Sequence, residues 1–101
     1  MAVKTQISTD GKVCTISITG RFDITTHKDF SGAYKDKLDS VSKWIIDMAD
    51  VDYMDSSALG MLLMLRERAG GNNAEINIVN CSPGVKKILI TANFDKLFPM
   101  F

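Results

Sequence analysis

The chain has 101 residues, 46% of them hydrophobic, and its twelve Lys+Arg balance its twelve Asp+Glu. That length fits one domain spanning residues 1–101, and the apolar content suffices for one modest core. Zero formal net charge with no run of one sign offers no basic face to a nucleic acid, and the longest apolar run, Met61 to Leu65, is far short of the roughly 20 residues that span a bilayer.

The N-terminal stretch "MAVKTQISTDGK" lacks the apolar segment of a secretory signal. A cytoplasmic setting without membrane insertion is therefore expected. Cys14 and Cys81 show no CxxC spacing and are expected to be reduced and buried. The lone His27 has no Cys, His or Glu cluster beside it, so neither a metal nor another cofactor is expected.

In chain order, "VKTQIS" (3–8) alternates loosely, and Asp10-Gly11 supplies the residues of a tight hairpin turn. "VCTISIT" (13–19) alternates well, with Cys14, Ile16 and Ile18 on one side, and predicts a strand with one buried face that Gly20 ends. "THKDFSGAYKDKLDSV" predicts a helix, because Phe30, Ala33, Tyr34, Lys37 and Leu38 recur at helical spacing. Thr25 or Thr26 is suited to cap it, with Asp29 as capping-box partner of Thr26.

"KWIIDM" (43–48) fits a strand buried on both faces, with Asp47 and Asp50 marking its end. A helix is expected from Ser56 to Ala69, stopped by Gly70-Gly71-Asn72-Asn73. "AEINIVN" (74–80) alternates as a strand, and Ser82-Pro83 opens a last helix whose stripe is Val85, Ile88, Leu89 and Ala92. The tail "FDKLFPMF" either packs on the body or meets a partner, and Pro99 argues against a long final helix. The order β-β-α-β-α-β-α implies an α/β fold with a mixed sheet of four to five strands, its later strands parallel, covered by three to four helices.

The stretch "VDYMDSSALGMLLML" (51–65) holds the main candidate site. A helix leaves its first backbone N–H groups unpaired, so Asp55 and Ser56 are both apt caps and local chemistry alone accounts for "DSS". Along the helix, Ala58, Leu62, Leu65 and Ala69 form an arc that suits a sheet, with Leu59 and Leu63 flanking it. Ser57, Met61, Met64 and Arg68 form a second arc, covered either by another helix or by a partner. A phosphoserine at the helix start adds about −1.5 to −2 charges, which the helix dipole tolerates and a docked apolar partner does not.

"YMDSSALGMLLML" resembles the Asp-Ser-Ser/Thr-Gly-Leu-Gly signature of bacterial STAS-domain anti-sigma factor antagonists. "ITGRFDITT" (18–26) is similar to that family's Gly-x-x-Asp loop, and "INIVNCSPGVKKILITANFDKLF" (76–98) to its last strand and Ser-Pro helix start. The resemblance spans essentially the whole chain and implies a STAS fold and a partner-switching role. In that role the unphosphorylated protein binds an anti-sigma factor or serine kinase-type regulator. The kinase then phosphorylates the serine after the motif aspartate, here Ser56 and less readily Ser57, and a serine phosphatase reverses it.

The protein would be substrate and binder, not an enzyme: no Gly-x-Ser-x-Gly elbow surrounds Ser56, and His27 is the sole histidine base. It is expected to be a monomer when free. The partner surface implied comprises Arg21, Phe22, Asp23, Thr25, Asp55, Ser56, Ser57, Ala58, Met61, Met64 and Arg68. Asp23 either orders its loop or touches the partner, and Arg21 either pairs with a phosphate or carboxylate or is an ordinary surface arginine. Ala58 stands where the family usually has glycine, which adds a methyl near the phosphoacceptor and narrows the choice of partner. The competing role keeps the fold but drops phosphorylation, as a STAS subunit docked on a membrane transporter or a larger sensory assembly.

Overall fold

A computed structural model describes residues 2–101. The expected hairpin joins strand β1 (Val3–Ile7) to β2 (Val13–Phe22), antiparallel, with Val3 opposite Ile18 and Ile7 opposite Cys14. Its turn is held by Gly11 N–H donating to the Ser8 carbonyl at 2.9 Å, with Gly11 at φ +74°. That backbone conformation costs a glycine nothing.

Helix α1 (His27–Tyr34) leads to β3 (Lys43–Met54), which pairs parallel to β2. Helix α2 (Ser56–Arg68) leads to β4 (Ile76–Val79), parallel to β3, and α3 (Pro83–Thr91) follows. The sheet order is β1-β2-β3-β4, the mixed sheet that the element order implied. Right-handed crossovers stepping one way across a sheet leave α1 and α2 on the same face. Cys14, Ile16, Ile18, Phe22, Trp44, Ile46, Met48, Ile76 and Ile78 point into the core on that side. Rings from sheet and helix form a chain through it: Phe22–Phe30 at 5.3 Å, Phe30–Tyr34 at 5.7 Å and Tyr34–Trp44 at 6.3 Å between centroids.

Four expectations need correction. β2 does not end at Gly20; the residue takes φ +83° and a register shift there lets pairing resume through Phe22. β3 runs to Met54 and is buried on one face only, with Ile45 and Asp47 half-buried, because the helices cover one side. The first helix stops at Tyr34: turns follow, with Val41 N–H donating to the Lys37 carbonyl at 3.0 Å, and the Lys37 ammonium donates back to the Ala33 carbonyl at 3.1 Å. Cys81 is half-buried, whereas Cys14 is fully buried; both thiols are free.

The tail packs. Phe94 and Phe98 stack at 5.4 Å and are buried, and residues 99–101 run beside β4, where Phe101 N–H donates to the Ile78 carbonyl at 2.8 Å. Phe101 itself remains 76% exposed.

Candidate functional site

The parallel strands β2 and β3 finish together, with Phe22 opposite Met54, both buried. The chain leaves each strand through an aspartate in nearly the same extended conformation: Asp23 at φ −142°, ψ −167° and Asp55 at φ −133°, ψ −171°. Each carboxylate accepts the N–H two residues on, from Thr25 and Ser57 respectively, both at 3.0 Å. Two such capped turns side by side build the sheet's end.

Asp55 is therefore the N-cap of α2, and Ser56 is the first helical residue rather than the cap. The Asp55 carbonyl also accepts the Ala58 N–H at 3.1 Å. Ser56 is exposed and Ser57 half-buried. Neither hydroxyl is needed by the cap, since the aspartate supplies the acceptor that a helix start requires.

Asp23 caps a 3₁₀ turn over Ile24–Thr26 that precedes α1, and the reciprocal partner is Thr26, whose Oγ1 accepts the Asp23 N–H at 3.1 Å. The capping box thus runs from Asp23 to Thr26, not from Thr26 to Asp29; Thr26 makes no side-chain cap bond to α1. Asp23 is only 7% exposed. The hydroxyl and N–H of Thr25, with Arg21 Nε at 3.1 Å, hold its carboxyl below the usual carboxylate range against the opposing effect of burial. Asp23 orders the loop.

Arg21 lies opposite Tyr53 in the β2–β3 register, and its guanidinium carbon sits 3.8 Å from the Tyr53 ring centre. The side chain is fixed from two directions, by a carboxylate and an aromatic face, yet stays largely in solvent. It is a pre-positioned cation at the edge of the α2 start.

The candidate surface separates by burial. Arg21, Thr25, Ser56, Met64 and Arg68 are exposed, and Asp55 and Ser57 are half-buried. Phe22, Ala58 and Met61 lie in the core, so their side chains shape the site from beneath and present no contact surface. The methionine arc is divided: α1 packs against α2 and Met61 is buried, while Met64 is 50% exposed. The Ala58 methyl faces the core, which removes the expectation that it screens partners directly.

Residues that sequence reasoning missed complete the surface. Ile24 is 66% exposed beside Asp23, Tyr53 carries Arg21, and Gly60 and Leu63 continue the Ser56 stripe along α2. An isoleucine directly after a capping aspartate was the available signal for the first. Among the described residues no group of three metal-ligating side chains converges, and no helix is long and apolar enough to cross a membrane.

Residues 5–99 match the family described as Mlab, STAS domain. A STAS-domain containing protein of Pseudomonas aeruginosa strain UCBPP-PA14 is 49% identical over 98 residues, covering 97% of either chain. The anti-sigma factor antagonist SpoIIAA in its unphosphorylated form superposes with a TM-score of 0.84 at 18% identity, over 99% of this chain and 88% of that one. The Bacillus cell fate determinant SpoIIAA in its phosphorylated form gives 0.77 at 17% identity, over 99% and 91%. At such identities the likeness to SpoIIAA is one of fold.

Proposed function

The chain belongs to the STAS-domain family, and we propose that it acts as an anti-sigma factor antagonist by partner switching, with Ser56 as the phosphoacceptor. Unphosphorylated, it binds an anti-sigma factor or serine kinase-type regulator through the solvent face of α2 and the neighbouring turn. The kinase phosphorylates Ser56 and binding ends; a serine phosphatase restores it. The chain is substrate and binder rather than catalyst.

The observation that carries this reading is the division of labour between Asp55 and Ser56. Because Asp55 caps α2, the Ser56 hydroxyl is free to be modified without undoing the cap. A dianion at the first helical residue meets the favourable end of the helix dipole. The same dianion on the solvent face of α2, which also carries exposed Leu63 and Met64, would have to be desolvated under a docked partner, at a cost of several kcal/mol. Modification then abolishes binding while the fold survives.

Incubation with the cognate kinase-type regulator and Mg-ATP is expected to add about 80 Da, mapping to Ser56. Absence of phosphate on Ser56 and Ser57, together with stable docking on a transporter ATPase, would instead favour the unphosphorylated subunit role.

A further inference from the structure

Tyr34 is 2% exposed, with its ring edge-on to Phe30 and Trp44. Every fully sealed side-chain polar atom among the described residues has a hydrogen-bond partner, and the Tyr34 hydroxyl, which bonds to none of those residues, is the end that reaches solvent. It does so in a groove of about 320 Å³ between α1 and α2. The hydroxyl makes no hydrogen bond to the described residues and reaches solvent, so it can donate to a bound ligand's acceptor without breaking an internal bond.

The walls indicate which acceptor. His27 comes from α1, Lys35 from the residue capping its C-terminus and Arg68 from α2, Met64 adds an apolar side, and no carboxylate lines the groove. The ion pairs among the described residues are Arg21–Asp23 and Lys96–Asp95, so Lys35 and Arg68 carry unneutralised charge there. Ser31 also borders the groove, but its hydroxyl donates to the Lys28 carbonyl at 3.3 Å, which leaves Tyr34 as the hydroxyl donor. A phenol is a donor at neutral pH, and burial pushes the Tyr34 pKa further up.

We propose that this groove binds a small, multiply charged anion bearing phosphate or carboxylate groups. The Tyr34 hydroxyl donates from the floor, Lys35 and Arg68 supply the charge, and Met64 packs against the anion's carbon skeleton. The volume lies at the small end of the roughly 300–1,000 Å³ usual for small-molecule sites. The inference uses neither Ser56 nor the Asp23 turn, but it shares Met64 and Arg68 with the partner surface proposed above.

The test titrates inorganic pyrophosphate and, separately, citrate into the full chain at constant ionic strength, following Arg68 and His27 resonances. Saturable shifts are expected, with the tighter of the two probes distinguishing a phosphate from a carboxylate ligand. Tyr34→Phe keeps the ring and removes only the donor, and should weaken binding at least about tenfold, as losing a hydrogen bond to a charged group does. Arg68→Gln, at an exposed position, should weaken it comparably and decides the matter if the tyrosine variant fails to fold. No saturation by either probe at millimolar concentration, or affinity unchanged in Arg68→Gln or in a folded Tyr34→Phe, overturns the proposal.

Discussion

Phe22 and Met54 stand opposite each other as the last paired residues of β2 and β3, and each is followed by an aspartate that caps the next turn. Ile24 and Ser56 each follow a capping aspartate and are both exposed, although only the Asp23 turn carries a reciprocal capping box. The cap and the proposed phosphoacceptor are adjacent but distinct residues, and they can be separated experimentally.

Removing the cap should cost stability, and removing the serine hydroxyl should not. Asp55→Ala is expected to destabilise by about 1 kcal/mol, the usual loss for an N-cap. Ser56→Ala, an exposed substitution, should stay within about 0.5 kcal/mol of wild type. Urea denaturation measures both. In a pull-down with the kinase-type regulator, Ser56→Ala should bind and resist phosphorylation, whereas Ser56→Asp should fold and lose affinity; an aspartate variant binding as tightly as wild type would refute the charge mechanism.

The two methionines of α2 should part in the same way. Met61 is 5% exposed and Met64 is 50% exposed. Met61→Ala should therefore cost about 2–5 kcal/mol through lost burial and a cavity. Met64→Ala should leave the denaturation midpoint nearly unchanged and weaken the partner complex. If both variants unfold alike, the division of the arc is wrong.

Ala58 is fully buried, so its methyl acts on stability. Ala58→Gly, which restores the family's usual residue, should cost about 1 kcal/mol from helix propensity alone. Ala58→Leu should cost about 1–3 kcal/mol by overpacking the junction with the sheet. Neither should alter phosphorylation of the folded fraction, which phosphopeptide mass spectrometry at matched stability would check.

Acid should loosen the Asp23 turn. The Thr25 hydroxyl, assisted by Arg21, holds the Asp23 carboxyl below its unfolded value near about 3.9. The unfolded chain then binds more protons in that window, so the contribution is complete above the unfolded pKa and fades as pH falls through the lower folded one. Asp10 is lowered as well, by Ser8 and the Lys12 N–H, but wild type and an Asp23→Asn variant share it. The stability gap between those two proteins should narrow as pH falls below about 4; a gap constant with pH would contradict this.

Much of this architecture was legible because period-2 and period-3.6 patterns survive in a chain whose sheet is buried on one face. β2 and β4 showed their buried faces directly, and Ser82 caps α3 as its sequence implied, accepting the Val85 N–H at 3.3 Å. The expected end of β3 falls short because Asp47 and Asp50 look like stop signals. They occupy positions on the open side or beside the register shift, while Val51 and Met54 stay buried. The burial of Phe22 was illegible, because it depends on α1 folding back over the sheet to bring Phe30 to it. For Met61 the sequence left cover by a helix or by a partner open, and the packing of α1 on α2 decides for the helix.

Ile24 tests whether the exposed turn belongs to the partner surface at all. It is 66% exposed, yet it sits between a buried aspartate and a threonine pair whose hydrogen bonds run to the Asp23 carboxylate and to backbone groups. Its side chain contributes nothing to that capping box. Ile24→Ser should therefore leave stability within about 0.5 kcal/mol. If Ile24 is one of the few apolar anchors of that interface, its loss should cost more than about 1 kcal/mol of binding, which is fivefold or more in affinity. Surface plasmon resonance with the unphosphorylated chain and its regulator reads the difference, and an Ile24→Ser variant with wild-type affinity would confine the interface to α2.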